Sequence, residues 1–205
     1  MDRPTAEAAL LAAGRRLGAR GLIRAGEGNL SVRLDAERWL VSPTGRRKDE
    51  LGVDDLVVIR GDHEPRGARS ASGLAPTSDL AIHLAVHAAR PDIEAVVHAH
   101  LPASMALTAA GEIPDPALLP ETALLLPTLP YLPFGEMGSQ ELADRVAAAL
   151  SAGDPPANAV VLERHGAVAV GPSVEVAVDR LELIEVLCRA TRDIMLIRAA
   201  RMTLG

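Results

Sequence analysis

Two β-type runs with almost nothing between them constrain this chain of 205 residues most strongly. Residues 159–163 and 167–170 are rich in valine and alanine, and only Arg164-His165-Gly166 joins them. So short a link can reverse a chain onto an antiparallel neighbour, whereas a parallel partner needs a crossover of about a dozen residues or more. A second hairpin reads from residues 30–34 and 39–42 around an acidic turn. Residues 56–60, closed by Gly61-Asp62, and residues 94–98 read as further strands. Helical spacing recurs over 5–20, 79–89, 103–110, 139–152 and 174–201, with Thr77 or Ser78 placed to cap the second of these. Pro43-Thr44-Gly45 reads as a turn and 67–75 as a loop. The expectation is one α/β domain over residues 1–205, layered around a largely antiparallel sheet. The stretch 113–133, crowded with Pro114, Pro116, Pro120, Pro127, Pro130 and Pro133, reads as extended and irregular.

Such a core must be built without rings. Trp39, Tyr131 and Phe134 are the only aromatic residues, so leucine, valine, isoleucine and alanine have to fill it. The same scarcity argues against stacking on single-stranded nucleic acid. A net charge of −6 argues against a duplex-binding face, and Arg46-Arg47-Lys48 reads as a solvated turn. A lone cysteine, Cys188, permits no internal disulfide and reads as a small core residue. The first residues lack the apolar stretch of a signal peptide, and no long apolar run suggests a membrane span. A reducing, cytoplasmic setting is expected.

Six histidines carry the chemical interest. His98 and His100 lie two apart at a strand end, where side chains share a face and could grip one metal ion. His165, at the tight turn beside Gly166, is the natural third ligand. His83 and His87, four apart on one helix, are a rival pair, although buried helical histidines more often bond to a neighbouring group. His63 reads as a solvated turn residue. Three short polar segments offer small donors without bulk: Gly28-Asn29, Thr44-Gly45 and Thr77-Ser78. Together they could hold a phosphate near the start of the helix at Asp79.

In order, the segments GEGNLSVRL, LVSPTG, PTSDLAIHLAVHAARPDIEAVVHAH, LPYLPFGEMGSQELADRVAAAL and ERHGAVAVG resemble the class II aldolase/adducin family. The resemblance implies a three-layer α/β/α sandwich and a homotetramer with active sites between subunits. It implies catalytic zinc on His98, His100 and His165, with manganese or cobalt as possible substitutes. Gly28, Asn29, Thr44, Gly45, Thr77 and Ser78 would bind the phosphate of a small sugar phosphate. Asp79 would be the general acid/base, where the aldolase branch usually has glutamate and the 4-epimerase branch aspartate. The aldolase tyrosine expected near Leu118 is absent, and Glu121 is the only acid nearby. The leading expectation is an aldolase that cleaves a ketose 1-phosphate to dihydroxyacetone phosphate and a small aldehyde. Epimerisation, or decarboxylation or dehydration of a sugar-acid phosphate, could use the same site. Adducin-like members, which act as binding modules, are the non-enzymatic alternative.

Overall fold

A computed structural model describes residues 1–61 and 67–203. Asp62 and His63, both read above as turn residues, lie outside this range. Helix α1 (Arg3–Ala19) starts where Asp2 accepts a hydrogen bond from the Thr5 amide at 3.0 Å. Its buried face is Ala6, Leu10, Ala13 and Leu17, spaced three and four apart as a helix against a sheet requires. Strands β1 (Asn29–Arg33) and β2 (Arg38–Val41) form the expected hairpin, and β3 (Val57–Arg60) extends it. After helix α2 (Leu80–Ala89), strand β4 (Ala95–Ala99) pairs with the other side of β1. Helix α3 (Pro102–Ala109) follows.

The proline-rich stretch departs from its expected irregularity. It contains a 3-10 turn (Pro116–Leu118), a short helix α4 (Pro120–Leu125) and a strand β5 (Tyr131–Leu132). Pro116 and Pro120 stand in first turns, where a missing N–H costs nothing and a fixed φ helps. Asp115 accepts from the Ala117 amide at 2.9 Å, and the Thr122 hydroxyl donates to the Pro116 carbonyl at 2.6 Å.

Helix α5 (Gln140–Ser151) is capped by Ser139, which accepts from the Leu142 amide at 3.1 Å. Strands β6 (Ala159–Leu162) and β7 (Gly166–Gly171) then form the expected antiparallel pair, and helix α6 (Val174–Thr203) follows. The sheet runs β3-β2-β1-β4-β7-β6-β5, and only β5 against β6 is parallel.

Alternation along the strands separates two cores. Ala95, Val97 and Ala99 of β4 face α1, α3 and α6, together with Ala159, Ala167 and Ala169 from the neighbouring strands. Val96 faces the opposite cluster, where Ile82 and Val86 of α2 meet Leu142, Val146 and Leu150 of α5. The α/β/α sandwich is therefore observed, with aliphatic side chains filling both layers and Cys188 buried in the first. Buried Arg90 ties α2 to α5, donating to the carbonyls of Leu150 at 2.6 Å and Ala157 at 2.8 Å. His98 follows Val96 by two residues and so projects from the α2 face of the sheet. Among the described residues, no helix is long and apolar enough to cross a membrane.

One cap differs from expectation. Asp79, not Thr77 or Ser78, occupies the residue before α2, and its carboxylate makes no cap to that helix. The Thr77 hydroxyl oxygen accepts from the Asp79 amide at 3.3 Å instead. The Asp79 side chain is thereby left to partners across the sheet.

Candidate metal centre

His98 is fully buried in β4, directly opposite Asn29 of β1 and Val168 of β7. His100 lies just past the end of β4, yet its ring centroid is 4.9 Å from that of His98. His165 comes from the β6–β7 turn, and its ring is 4.7 Å from His98 and 4.9 Å from His100. Gly166 makes that approach possible. Its φ is 105°, and a Cβ there would overlap the Ala99 carbonyl oxygen and come within 2.8 Å of the His100 Cα. Glycine lets the turn press directly onto the His98–His100 segment.

One nitrogen atom from each ring lies within 4.8 Å of the others. The His98 Nδ1–H donates to the Ala167 carbonyl at 3.0 Å, which fixes the tautomer and leaves a lone pair on Nε2. That Nε2 and both nitrogens of His165 are buried without a hydrogen-bond partner. Orphaned buried polar atoms are costly, and a bound cation would relieve His98 Nε2 and one of the two His165 nitrogens together. Burial, reinforced by the neighbouring His165 and His100, holds His98 well below the usual imidazole range. Burial also lowers His100 and His165. Neutral imidazoles are what metal coordination requires. Three of them, with room beside them, match a catalytic divalent site.

Above the histidines opens a pocket of about 210 Å³. Gly26, Glu27, Gly28 and Asn29 line it from the approach to β1, and Thr44 and Lys48 from the loop after β2. Thr77, Ser78 and Asp79 line it from the approach to α2, with Met137, His100 and His165 completing it. The loops converge because Pro43 and Pro76 form an antiparallel bridge, a contact no local pattern announces. The Thr44 amide donates to the Ala75 carbonyl at 3.1 Å and the Thr77 amide to the Ser42 carbonyl at 3.1 Å. These two amides are thus committed to structure, and hydroxyls are what Thr44 and Thr77 can offer a ligand. Gly28, at φ 67°, is wedged so that a Cβ would meet the Ile23 Cγ2 at 2.7 Å and the His98 carbonyl oxygen at 2.8 Å. Gly45 does not line the pocket; its backbone lies beside Gly26, 3.7 Å from where a Cβ on that residue would stand.

The Asn29 side chain donates from Nδ2 to Asp79 Oδ2 at 2.8 Å. Its Oδ1 lies 2.6 Å from His83 Nε2. His83 and His87 both reach Ser31 Oγ, at 2.7 and 2.9 Å. They are therefore a hydrogen-bonded pair within the α2–sheet layer, not a second metal pair. Lys48 corrects the reading of Arg46-Arg47-Lys48 as a solvated turn. It is 2 % exposed, donates to the carbonyls of Gly26 at 2.9 Å and Arg46 at 2.7 Å, and faces the pocket. Burial pushes it down to about 8, against the raising influence of Asp79. Its signal was a lysine four residues after Ser42-Pro43-Thr44, too weak to separate from surface charge. Glu121 is exposed on α4 and does not line the pocket. A wider groove of about 280 Å³ between α1 and α6 is lined largely by alanine and valine, with Arg16 and Glu175, and none of the clustered histidines reaches it.

Four matches to known proteins bear on this site. The family description "Class II Aldolase and Adducin N-terminal domain" matches residues 8–191. A 3-oxo-tetronate 4-phosphate decarboxylase of Haemophilus influenzae is 31% identical over 176 residues, covering 84% of this chain and 80% of its own. Human beta-adducin is 31% identical over 162 residues, which is 78% of this chain but 21% of that protein. Among solved structures, an L-fuculose-1-phosphate aldolase from Thermus thermophilus superposes with a TM-score of 0.80 at 27% identity, over 94% of this chain and 95% of that one.

Proposed function

The chain belongs to the class II aldolase and adducin family, and we propose that it is a metal-dependent carbon–carbon lyase that cleaves a small ketose 1-phosphate to dihydroxyacetone phosphate and an aldehyde. The observation that carries this reading is the convergence, in one pocket, of a three-histidine cluster with orphaned nitrogens and a buried carboxylate, Asp79. A non-catalytic binding module gives no reason for such a set.

His98, His100 and His165 would hold a divalent ion, zinc in the first instance. When bound it would supply Lewis acidity toward oxygens of the reacting end of the substrate. The remaining work falls to the chain itself. Gly28, Thr44, Thr77 and Ser78 present small polar groups around the space for a phosphate, while the Asn29 side chain is held between Asp79 and His83. Lys48 has three N–H donors and commits two to carbonyls, leaving one and its charge for an anion. In aldol cleavage the C3–C4 electron pair stays with C3, the C4 hydroxyl loses its proton to become an aldehyde, and C3 is finally protonated. No electron acceptor is needed. Asp79, buried beside the histidines, is the carboxylate placed to carry a proton. Remote phosphate binding orients the reacting carbons.

A second reading, decarboxylation of a 3-oxo sugar-acid phosphate, is favoured by Lys48, whose buried charge would suit a substrate bearing a carboxylate as well as a phosphate. It also accords with the Haemophilus relative. Both reactions break a carbon–carbon bond and leave the electron pair on the carbon next to a carbonyl. The reading also carries the family's homotetramer. Val186, Met195, Leu196, Ile197 and Met202 on α6 are exposed apolar residues that subunit contacts would cover.

The test is to incubate the protein with a panel of ketose 1-phosphates and 3-oxo sugar-acid phosphates, with and without a chelator. Chelator-sensitive release of dihydroxyacetone phosphate supports the aldolase reading. Carbon dioxide release supports the second. Neither product, with metal bound, sinks both.

Lys48 gives a pH signature. Its charge is present below about 8 and lost above it. For a phosphorylated substrate, kcat/KM should therefore fall as pH rises through about 8, since that ratio reports the free enzyme. Lys48→Met should lower kcat/KM by about ten- to hundredfold, the worth of a charged hydrogen bond, and remove this alkaline limb. A pH profile of both proteins checks it.

A further inference from the structure

We propose that Arg33, His87, Ser31 and His83 form a hydrogen-bond relay of fixed direction that orients Asn29 and, through it, the Asp79 carboxylate. These are positioning residues, and the proposal rests on the reading of Asp79 as the group that moves protons.

The direction follows bond by bond from the Asp79 end. An ionised carboxylate only accepts, so the Asn29 amide nitrogen must face Asp79 Oδ2, at 2.8 Å. The Asn29 Oδ1 then faces His83 and accepts from Nε2–H at 2.6 Å. A neutral His83 protonated on Nε2 has a lone pair on Nδ1, so the Ser31 hydroxyl donates to it at 2.7 Å. Having spent its proton, Ser31 Oγ accepts from His87 Nε2–H at 2.9 Å. The His87 Nδ1 lone pair is left facing Arg33 Nη2 at 3.5 Å, and the same Arg33 nitrogen donates to the His87 carbonyl at 2.7 Å. Every donor thus points from the Arg33 guanidinium toward the Asp79 carboxylate. Burial keeps the middle neutral, with His83 lowered to about 4 and His87 to about 2.

The register of the sheet builds this line. Asn29, Ser31 and Arg33 alternate onto the α2 face of β1, and His83 and His87 stand one turn apart on α2 opposite them. Asn29, Ser31, His83 and His87 are all 3 % exposed or less, so water does not compete for these bonds. In a dry site, aligned hydrogen bonds polarise one another. The relay engages Oδ2 alone and so sets the rotation of the carboxylate, which an isolated Asp79 at a helix start would not have.

The test has two arms. With the metal-loaded protein labelled with nitrogen-15 at histidine, long-range proton–nitrogen correlation at neutral pH should show His83 and His87 neutral and protonated on Nε2. Protonation of His83 on Nδ1 would overturn the relay, whether or not a substrate has been found. In the second arm, Ser31→Ala should lower kcat by about ten- to hundredfold with KM changed less than about twofold, the cost of a misplaced reacting group. Ser31→Thr, which keeps the hydroxyl, should recover most of the loss. Wild-type kcat in Ser31→Ala, or equal impairment of both variants, would overturn the positioning role. Turnover that survives Asp79→Asn would overturn the reading of Asp79 and this proposal with it. Inactive Asp79→Asn together with the wrong tautomer would overturn the relay alone.

Discussion

Asp79→Asn should lower kcat by on the order of 10²- to 10⁴-fold, the range over which a positioned acid/base contributes. The substitution changes almost nothing else. Asparagine has the same shape, and its amide oxygen can still accept from Asn29 Nδ2, which now lies 2.8 Å from Asp79 Oδ2. Nor is Asp79 one of the three histidines that would hold a metal, so metal content should stay at the wild-type level. KM should move little, because phosphate binding falls to the loops around Thr44 and Ser78 and to Lys48. The discriminating pattern is lost turnover with retained metal and an unchanged thermal midpoint. Steady-state kinetics, metal analysis and a thermal scan on the same preparation check it. Retained turnover would remove Asp79 from the mechanism.

The second large effect is structural. Gly166→Ala should destabilise the fold by at least about 4 kcal/mol, in the range reserved for backbone strain and steric overlap in a core. Two costs act together. The φ of 105° is one that a residue with a Cβ rarely adopts, and the added Cβ would run into the backbone of Ala99 and His100. Neither obstacle is a flexible side chain that can step aside. Backbone would have to move, and the backbone in question carries two of the three clustered histidines. Against a total stability of about 5–15 kcal/mol, such a loss is a large fraction. The thermal midpoint should drop by roughly 10 °C or more for a chain of this size. Metal content should fall with it, even in the fraction that stays folded. A variant with wild-type stability and full metal content would show that the turn does not press on the His98–His100 segment as described.

How far this could be read without the structure depends on whether the controlling contacts are local. The β6–β7 hairpin was legible because three residues leave the chain no other course, and the strand alternation around Val96 and His98 placed that histidine on a face. The set His98, His100 and His165 rested on the resemblance as well as on spacing, since His165 is far away in sequence. Three things were not legible. The Pro43–Pro76 bridge joins segments more than thirty residues apart, so nothing local shows that Thr44 and Thr77 share a pocket. Lys48 looks like one more surface cation because its partners are carbonyl oxygens, which carry no sequence identity. The proline-rich stretch looked irregular because prolines that begin short helices are the same letter as prolines that break them. His83 and His87 illustrate the converse. Their spacing is right for a metal, but the partner that settles the matter, Ser31, lies on another element.

We propose that His98 on β4, His100 just past its end and His165 in the β6–β7 turn together hold the catalytic ion. X-ray absorption spectroscopy of the zinc-loaded protein tests it most directly. The account predicts one zinc per chain with three imidazole nitrogens at about 2.0–2.1 Å and a fourth light ligand, and loss of that signal in His100→Ala. A shell without three imidazoles, or an unchanged spectrum in His100→Ala, would contradict it.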